Sequence, residues 1–300
     1  MRMEQLAEEL RATFPNLTVL EREPMKNHCS FRIGGPAAVF IEPAFESELA
    51  ALRRFLREEN IPCTFIGNGT NLLVRDEGID GVVVHLGEQF SAIRVEGEFL
   101  CAEAGVTLAQ LAVTAREHGL AGLEFAHGIP GSLGGAVMMN AGAYGGEMRD
   151  VVVSVRYMNA QGNIAETDEP GFGYRKSMFA DTEYVILGAK IRLRRDDPAA
   201  VRARMMELWE KRSGSQPLDK PSAGSFFKRP VSGYAAAMIE EAGLKGLTVG
   251  GAQVSEKHAG FVINAGGATC ADVMALAEQV QRAVFEKFGT RLEPEVRFLG

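Results

Sequence analysis

The stretch from Gly128 to Gly146 reads GIPGSLGGAVMMNAGAYGG, with glycine at seven of nineteen positions. Glycine weakens helices and strands alike, and this segment has neither the polarity nor the repetition of a flexible linker. Its composition therefore points to close approach, against either a bound group or the chain itself. No lysine and no Walker pattern accompany it. A phosphate there would be met by backbone dipoles and Ser132, among Gly128, Pro130, Gly131, Gly134 and Gly135. A second loop, GNGTN at 67–71, follows the apolar CTFI. A Gly/Asn/Thr turn after a strand offers successive N–H groups to an anion, although Asn-Gly is also an ordinary turn dipeptide. The G-x-G-x-x-G fingerprint of a dinucleotide-binding βαβ unit needs a third glycine and a following helix. Position six is Leu72, and LLVRDEG does not read as a helix. Two such loops in one chain point to an extended dinucleotide.

Ser225 and Lys228 in AGSFFKRP have the S-x-x-K spacing of acyl-enzyme nucleophiles. That chemistry also requires S-D-N and K-T-G, and neither tripeptide is present. The residues alone leave Ser225 as a turn residue after Gly224. The five histidines, His28, His85, His118, His127 and His258, show no ligand spacing, so no metal site is expected. The four cysteines are scattered without a CxxC pair, as in a reduced cytosolic protein.

The elements that must position these groups are mixed. Helix periodicity marks 45–60, 107–118, 198–212, 234–242 and 271–288. Thr107 with Gln110 forms a capping box, Gly119 and Gly289 supply stops, and Pro198 a start. Strand signals cover 63–66, 81–86, 151–158, 184–193, 260–265 and 295–299. Without strict alternation, the pattern favours an α+β fold over a doubly wound sheet. The N-terminal segment reads as an amphipathic helix with Leu6, Leu10 and Phe14 on one face, and it lacks the apolar core of a signal peptide. A net charge of −7 disfavours nucleic acid. No run is long enough to span a membrane, so cytoplasmic localisation is expected. The composition changes near 200, where a helix gives way to SGSQPLDKPSAG.

Seven motifs occur in order: FRIGGPA, GNGTNLLV, GIPGSLGGAVMMNAGAYGGEM, GYRKSMF, SAGSFFKRP, GLKGLTVGGAQVSEKHAGFVINAGGAT and EPEVRFLG. Together they resemble the UDP-N-acetylenolpyruvoylglucosamine reductase family over nearly the whole chain. The resemblance implies a vanillyl-alcohol-oxidase-type FAD-binding fold of two α+β subdomains, 1–90 and 91–200. A C-terminal α+β substrate domain, 201–300, would follow. It implies non-covalently bound FAD, NADPH as hydride donor, and UDP-N-acetylglucosamine enolpyruvate as substrate. A monomer with no nucleic-acid or membrane partner is expected. The segment between Tyr174 and Ser225 fits the shorter form of the family.

By the same resemblance, Ser225 is the proton donor, and Arg175 and Glu295 complete the catalytic set. An arginine can hold the substrate carboxylate, and a glutamate of raised pKa can share a proton with it. Tyr174 would touch substrate, and Lys228 and Arg229 the UDP phosphates; a solvated basic pair is the other reading of those two. The cofactor contacts would be Gly67, Asn68, Gly69, Thr70, Asn71, Gly128, Ile129, Pro130, Gly131, Ser132, Gly134, Gly135, Asn140 and Arg297. Many relatives carry a lysine in the linker before Ser225; here Gln216 or Lys220 would take its place. A flavin oxidase of a sugar or lactone on the same fold is the alternative, and the complete Arg175, Ser225 and Glu295 set argues against it.

Overall fold

Apolar periodicity along the chain resolves into two separate cores. The computed structural model describes residues 3–300. Two compact units form: the N-terminal stretch through Glu21 with Val39–Asn68 and Gly81–Arg212, and Arg22–Ala38 with Gly69–Asp80 and Ser213–Gly300. The three segments read from the sequence are contiguous, whereas these units are not. Composition registers the change of character near 200, close to the last crossing after Arg212. It has no means of registering the two short excursions, which are joined to the C-terminal core only by tertiary contacts.

A four-stranded sheet has the order Thr18–Pro24, Pro36–Glu42, Ile79–His85, Cys63–Ile66, with the last two strands parallel. In the first unit, Leu49, Leu52 and Leu56 recur at helical spacing along Glu46–Glu58 and are fully buried in one core with Val39, Ile41, Val82 and Val84. A five-stranded antiparallel sheet follows the order Ile164–Thr167, Val152–Met158, Val185–Arg192, Phe99–Glu103, Ile93–Glu96. Helix Leu108–Glu117 buries Leu108, Leu111, Ala112 and Ala115 in the same core. Its predicted capping box is formed: Oγ1 of Thr107 accepts from the Gln110 N–H at 3.2 Å, and the Thr107 N–H donates to Gln110 Oε1 at 3.1 Å.

In the second unit, an antiparallel sheet runs Ser222–Ser225, Phe261–Asn264, Ala252–Val254, Thr248–Val249. The 19-residue helix Cys270–Phe288 shares its core through Val273, Leu276, Val280 and Val284. Asp76 accepts the N–H groups of Cys270 (2.8 Å) and Ala271 (3.0 Å) at the start of that helix, where unpaired donors and the helix dipole favour a carboxylate. Gly289, at φ +66°, ends it. The short strand Leu72–Val74 pairs in parallel with Arg297–Leu299, so GNGTN leads into a strand and not a helix. The architecture is α+β, as the sequence indicates.

Candidate active site

In the first unit, the glycine-rich segment lies against the chain at Ala104–Leu108. Gly131 O accepts from the Leu108 N–H (3.0 Å), and Leu133 and Gly134 donate to Val106 (2.8 Å) and Ala104 (2.8 Å). Close packing explains several of the glycines. A β-carbon on Gly134 would stand 3.0 Å from that of Ala104, and one on Gly128 would stand 3.0 Å from Cδ of the buried Arg212. Gly131 holds φ +144°, a conformation closed to other residues. Gly135 is different: a β-carbon there would find only Ser132 Oγ, at 3.7 Å. Chain packing thus accounts for most of the run, while Gly135 faces open space.

The first loop meets the second here. A β-carbon on Gly67 would fall 2.2 Å from Oγ of Ser132, which is itself buried and makes no capping bond to helix Leu133–Met138. Among the described residues, no acceptor receives the backbone N–H of Gly67, Asn68, Gly131, Ser132 or Gly135. The same holds for Gly69 and Thr70, which belong to the second unit. Next to this segment, His127 carries a buried Nδ1 with no hydrogen-bond partner, and burial pushes its pKa below the usual imidazole value.

Helix Leu133–Met138 ends beside a hairpin. Gly173 and Lys176 pair antiparallel, with the Gly173 N–H donating to Lys176 O at 2.9 Å. Tyr174 and Arg175 form the tip. Arg175 has φ +54° and its guanidinium lies 5.5 Å from the Tyr174 ring centroid. A non-glycine residue in the left-handed region is uncommon, and such a conformation persists where the surrounding chain determines it. Ser177 Oγ donates to Met138 O at 2.9 Å, and Asn140 Nδ2 donates to Gly173 O at 3.1 Å. Asn140 is among the residues that the resemblance assigns to the cofactor; both of its amide N–H groups are committed within the chain, to Gly173 and to Glu147 Oε2 (2.8 Å). Nothing in the sequence marks this residue as the hairpin's anchor.

In the second unit, Ser225 ends the edge strand Ser222–Ser225 and is exposed. The chain beyond it pairs with the residues leading to the C-terminal strand. Glu295 N–H donates to Phe226 O (2.8 Å), Phe227 bridges Pro294, and Lys228 N–H donates to Glu293 O (2.8 Å). The backbones of Ser225 and Glu295 are therefore neighbours, although 70 positions separate them. Asn71 Nδ2 donates to Glu295 O at 3.1 Å, and Asn71 O accepts from the Arg297 N–H at 2.9 Å. Asn71, read as a loop residue of the cofactor site, thus fixes the backbone on both sides of Val296. Lys228 reaches Glu293 at 3.3 Å, and Arg229 stacks 4.1 Å from the Tyr234 ring centroid. Gln216 Oε1 is buried without a hydrogen-bond partner. Among the described residues, no group of three His, Cys, Asp or Glu side chains could hold a metal ion, and no helix is long and apolar enough to cross a membrane.

Comparison with known proteins gives the family. The model for "FAD binding domain" matches residues 37–168, and that for "UDP-N-acetylenolpyruvoylglucosamine reductase, C-terminal domain" matches residues 216–299. The UDP-N-acetylenolpyruvoylglucosamine reductase of Caldanaerobacter subterraneus subsp. tengcongensis is 49% identical, over 99% of each chain. This chain belongs to the UDP-N-acetylenolpyruvoylglucosamine reductase family. The reductase of Clostridioides difficile is 46% identical over 93% of this chain and 92% of its own. The solved reductase structure from Thermus caldophilus superposes with a TM-score of 0.82 at 34% identity, over 95% of this chain and 99% of that one.

Residues of the reductase family's FAD-binding match fit the cofactor that its name implies. FAD presents a doubly charged pyrophosphate, and Gly67, Asn68, Gly131, Ser132 and Gly135 offer N–H groups with no acceptor of their own. A β-carbon at Gly135 would fill the open space beside them.

Proposed function

We propose that this chain is the FAD- and NADPH-dependent reductase that converts UDP-N-acetylglucosamine enolpyruvate to UDP-N-acetylmuramate in peptidoglycan synthesis. The observation that carries this reading is the full-length identity of 49% to a reductase of that name, on a chain whose glycine loops retain open N–H donors. FAD, when bound, supplies the hydride transfer that links NADPH to the enolpyruvyl C3.

The chain's own residues do the rest. The N–H groups of Gly67, Asn68, Gly69, Thr70, Gly131, Ser132 and Gly135 bind the cofactor, with Ile129 and Pro130 shaping the loop. Arg175, fixed at the hairpin tip, holds the substrate carboxylate and stabilises the charge that builds on it. Tyr174 packs against substrate beside it. Ser225 Oγ gives the proton to C2. A serine is a poor acid, and it serves here because the developing enolate carbon is a strong base held close. Glu295 shares a proton with the substrate carboxylate, and Arg297 places positive charge towards the flavin. Lys228 and Arg229 meet the UDP phosphates. We place the protein in the cytoplasm as a monomer, with the flavin held non-covalently.

The test is anaerobic single-turnover reoxidation of the photoreduced protein by UDP-N-acetylglucosamine enolpyruvate, followed at the flavin band. The expected result is rapid return of the oxidised spectrum, slowed by several orders of magnitude in Ser225→Ala. No return with wild type overturns the assignment, and reoxidation on admitting air would then favour the oxidase.

A further inference from the structure

We propose that Asn140 is a positioning residue for the reduction step, acting through the Gly173 carbonyl to hold Arg175 in place. The inference rests on the role proposed above for Arg175. Asn140 is completely buried and takes φ +43°, a conformation that asparagine tolerates better than most residues. Its amide is shared three ways. Nδ2 donates to Glu147 Oε2 (2.8 Å) and to Gly173 O (3.1 Å), and Oδ1 accepts from the Arg149 N–H (2.9 Å). Glu147 is turned towards Asn140 and also pairs with Arg149. Two of these bonds close a local loop between 140 and 149. The third leaves it and ends on the first residue of the Tyr174–Arg175 hairpin.

That third bond is the one with consequences for chemistry. The hairpin tip is two residues long, and Arg175 adopts a backbone conformation that costs free energy outside glycine. Such a conformation persists only where the flanking chain is fixed. The structure fixes it at both ends from one corner, with Gly173 held by Asn140 and Ser177 by Met138 O. The corner is also the C-terminal end of helix Leu133–Met138, so the glycine-rich loop before that helix and the hairpin are joined by one short segment. Removing the Asn140 donor leaves the Gly173 carbonyl only the Lys176 N–H, at 3.4 Å, and loosens the tie between the turn and the segment at 140. A displacement of about 1 Å in a positioned catalytic group costs on the order of 100-fold in rate.

The experiment separates positioning from support of the fold. Asn140→Gly keeps the left-handed backbone and deletes the amide. Asn140→Asp with Glu147→Gln keeps the volume, the bond to 147 with its direction reversed and the acceptor for the Arg149 N–H, and replaces the donor to Gly173 with an acceptor; Glu147→Gln alone is the control for the lost charge pairing with Arg149. Both half-reactions are followed by flavin absorbance, and the affinity of the oxidised protein for UDP-N-acetylmuramate by titration calorimetry. We expect both variants to be reduced by NADPH at the wild-type rate and to be reoxidised by the enolpyruvyl substrate about 100-fold more slowly. We expect product affinity to fall about tenfold. Equal slowing of the two half-reactions, or wild-type reoxidation in the double variant, overturns the proposal. Failure of the wild-type protein to be reoxidised instead overturns the reductase assignment on which it rests.

Discussion

Gly67 and Ser132 lie so close that a β-carbon on the first would stand 2.2 Å from Oγ of the second. Gly67, at the start of one glycine-rich loop, and Ser132 in the other, 65 positions on, are thereby held against each other within the first unit. The clash is with the hydroxyl alone, because Cβ of Ser132 would be 3.4 Å away, at ordinary contact distance. Gly67→Ala is expected to push Ser132 aside, lower the melting temperature and weaken FAD binding by at least about tenfold, a loss on the order of 1.4 kcal/mol. Adding Ser132→Ala is expected to recover the melting temperature. Flavin titration of the apoprotein with parallel melts checks both; an unchanged melting temperature in the single variant would show that the loops are not locked.

Gly135 tests the cradle from the other side. The chain itself leaves room for a methyl group there, and alanine in a helix is favoured over glycine by about 0.5–1 kcal/mol. Gly135→Ala is therefore expected to leave the apoprotein as stable as wild type or more so. If the open space belongs to FAD, the same variant binds flavin more weakly. The two effects have opposite sign, so a melt of the apoprotein and a flavin titration suffice. Unchanged flavin affinity would place the cofactor elsewhere.

How much of this was legible in the sequence depends on range. The Thr107–Gln110 box, the stops at Gly119 and Gly289 and the start at Pro198 are local signals, and the helices begin and end close to where those residues indicate. The glycine loops were legible as close approach, but not which partner each glycine approaches, since Ala104 and Arg212 are distant in sequence. The hairpin at Gly173–Lys176 gave no turn signal: its left-handed position holds Arg175, where glycine or asparagine would have announced it. Asp76 at the head of helix Cys270–Phe288 and Asn71 beside Glu295 were equally silent. Their hydrogen bonds span about two hundred positions, and no periodicity encodes such a pairing.

Asp272 predicts a pH dependence. The N–H groups of Thr269 and Gly251 donate to its carboxylate, at 3.0 and 3.2 Å, and hold its pKa below the usual aspartate value. A carboxyl whose pKa is depressed on folding contributes stability above its unfolded pKa, near 4, and loses it as pH falls through the lower folded value. Asp272→Asn should therefore lower the melting temperature at pH 7, and the gap to wild type should narrow steadily below about pH 4. A gap independent of pH would show that the ionised form is not what the two donors favour.

The thiols give the last prediction. Burial pushes Cys270 up to about 11, with Asp76 adding to the effect, and burial likewise raises Cys29 and Cys63. Only the thiolate attacks a disulfide reagent. At pH 8, a thiol of pKa 11 is ionised roughly one time in a thousand, and Cys270 and Cys29 are also buried from the reagent. Native protein treated with an aromatic disulfide at pH 8 should leave Cys29, Cys63 and Cys270 largely unlabelled over minutes, as read by peptide mass spectrometry. Guanidinium should release all four cysteines at once. Rapid native labelling of Cys270 would mean that the start of helix Cys270–Phe288 opens readily, and that its two hydrogen bonds to Asp76 do not hold it closed.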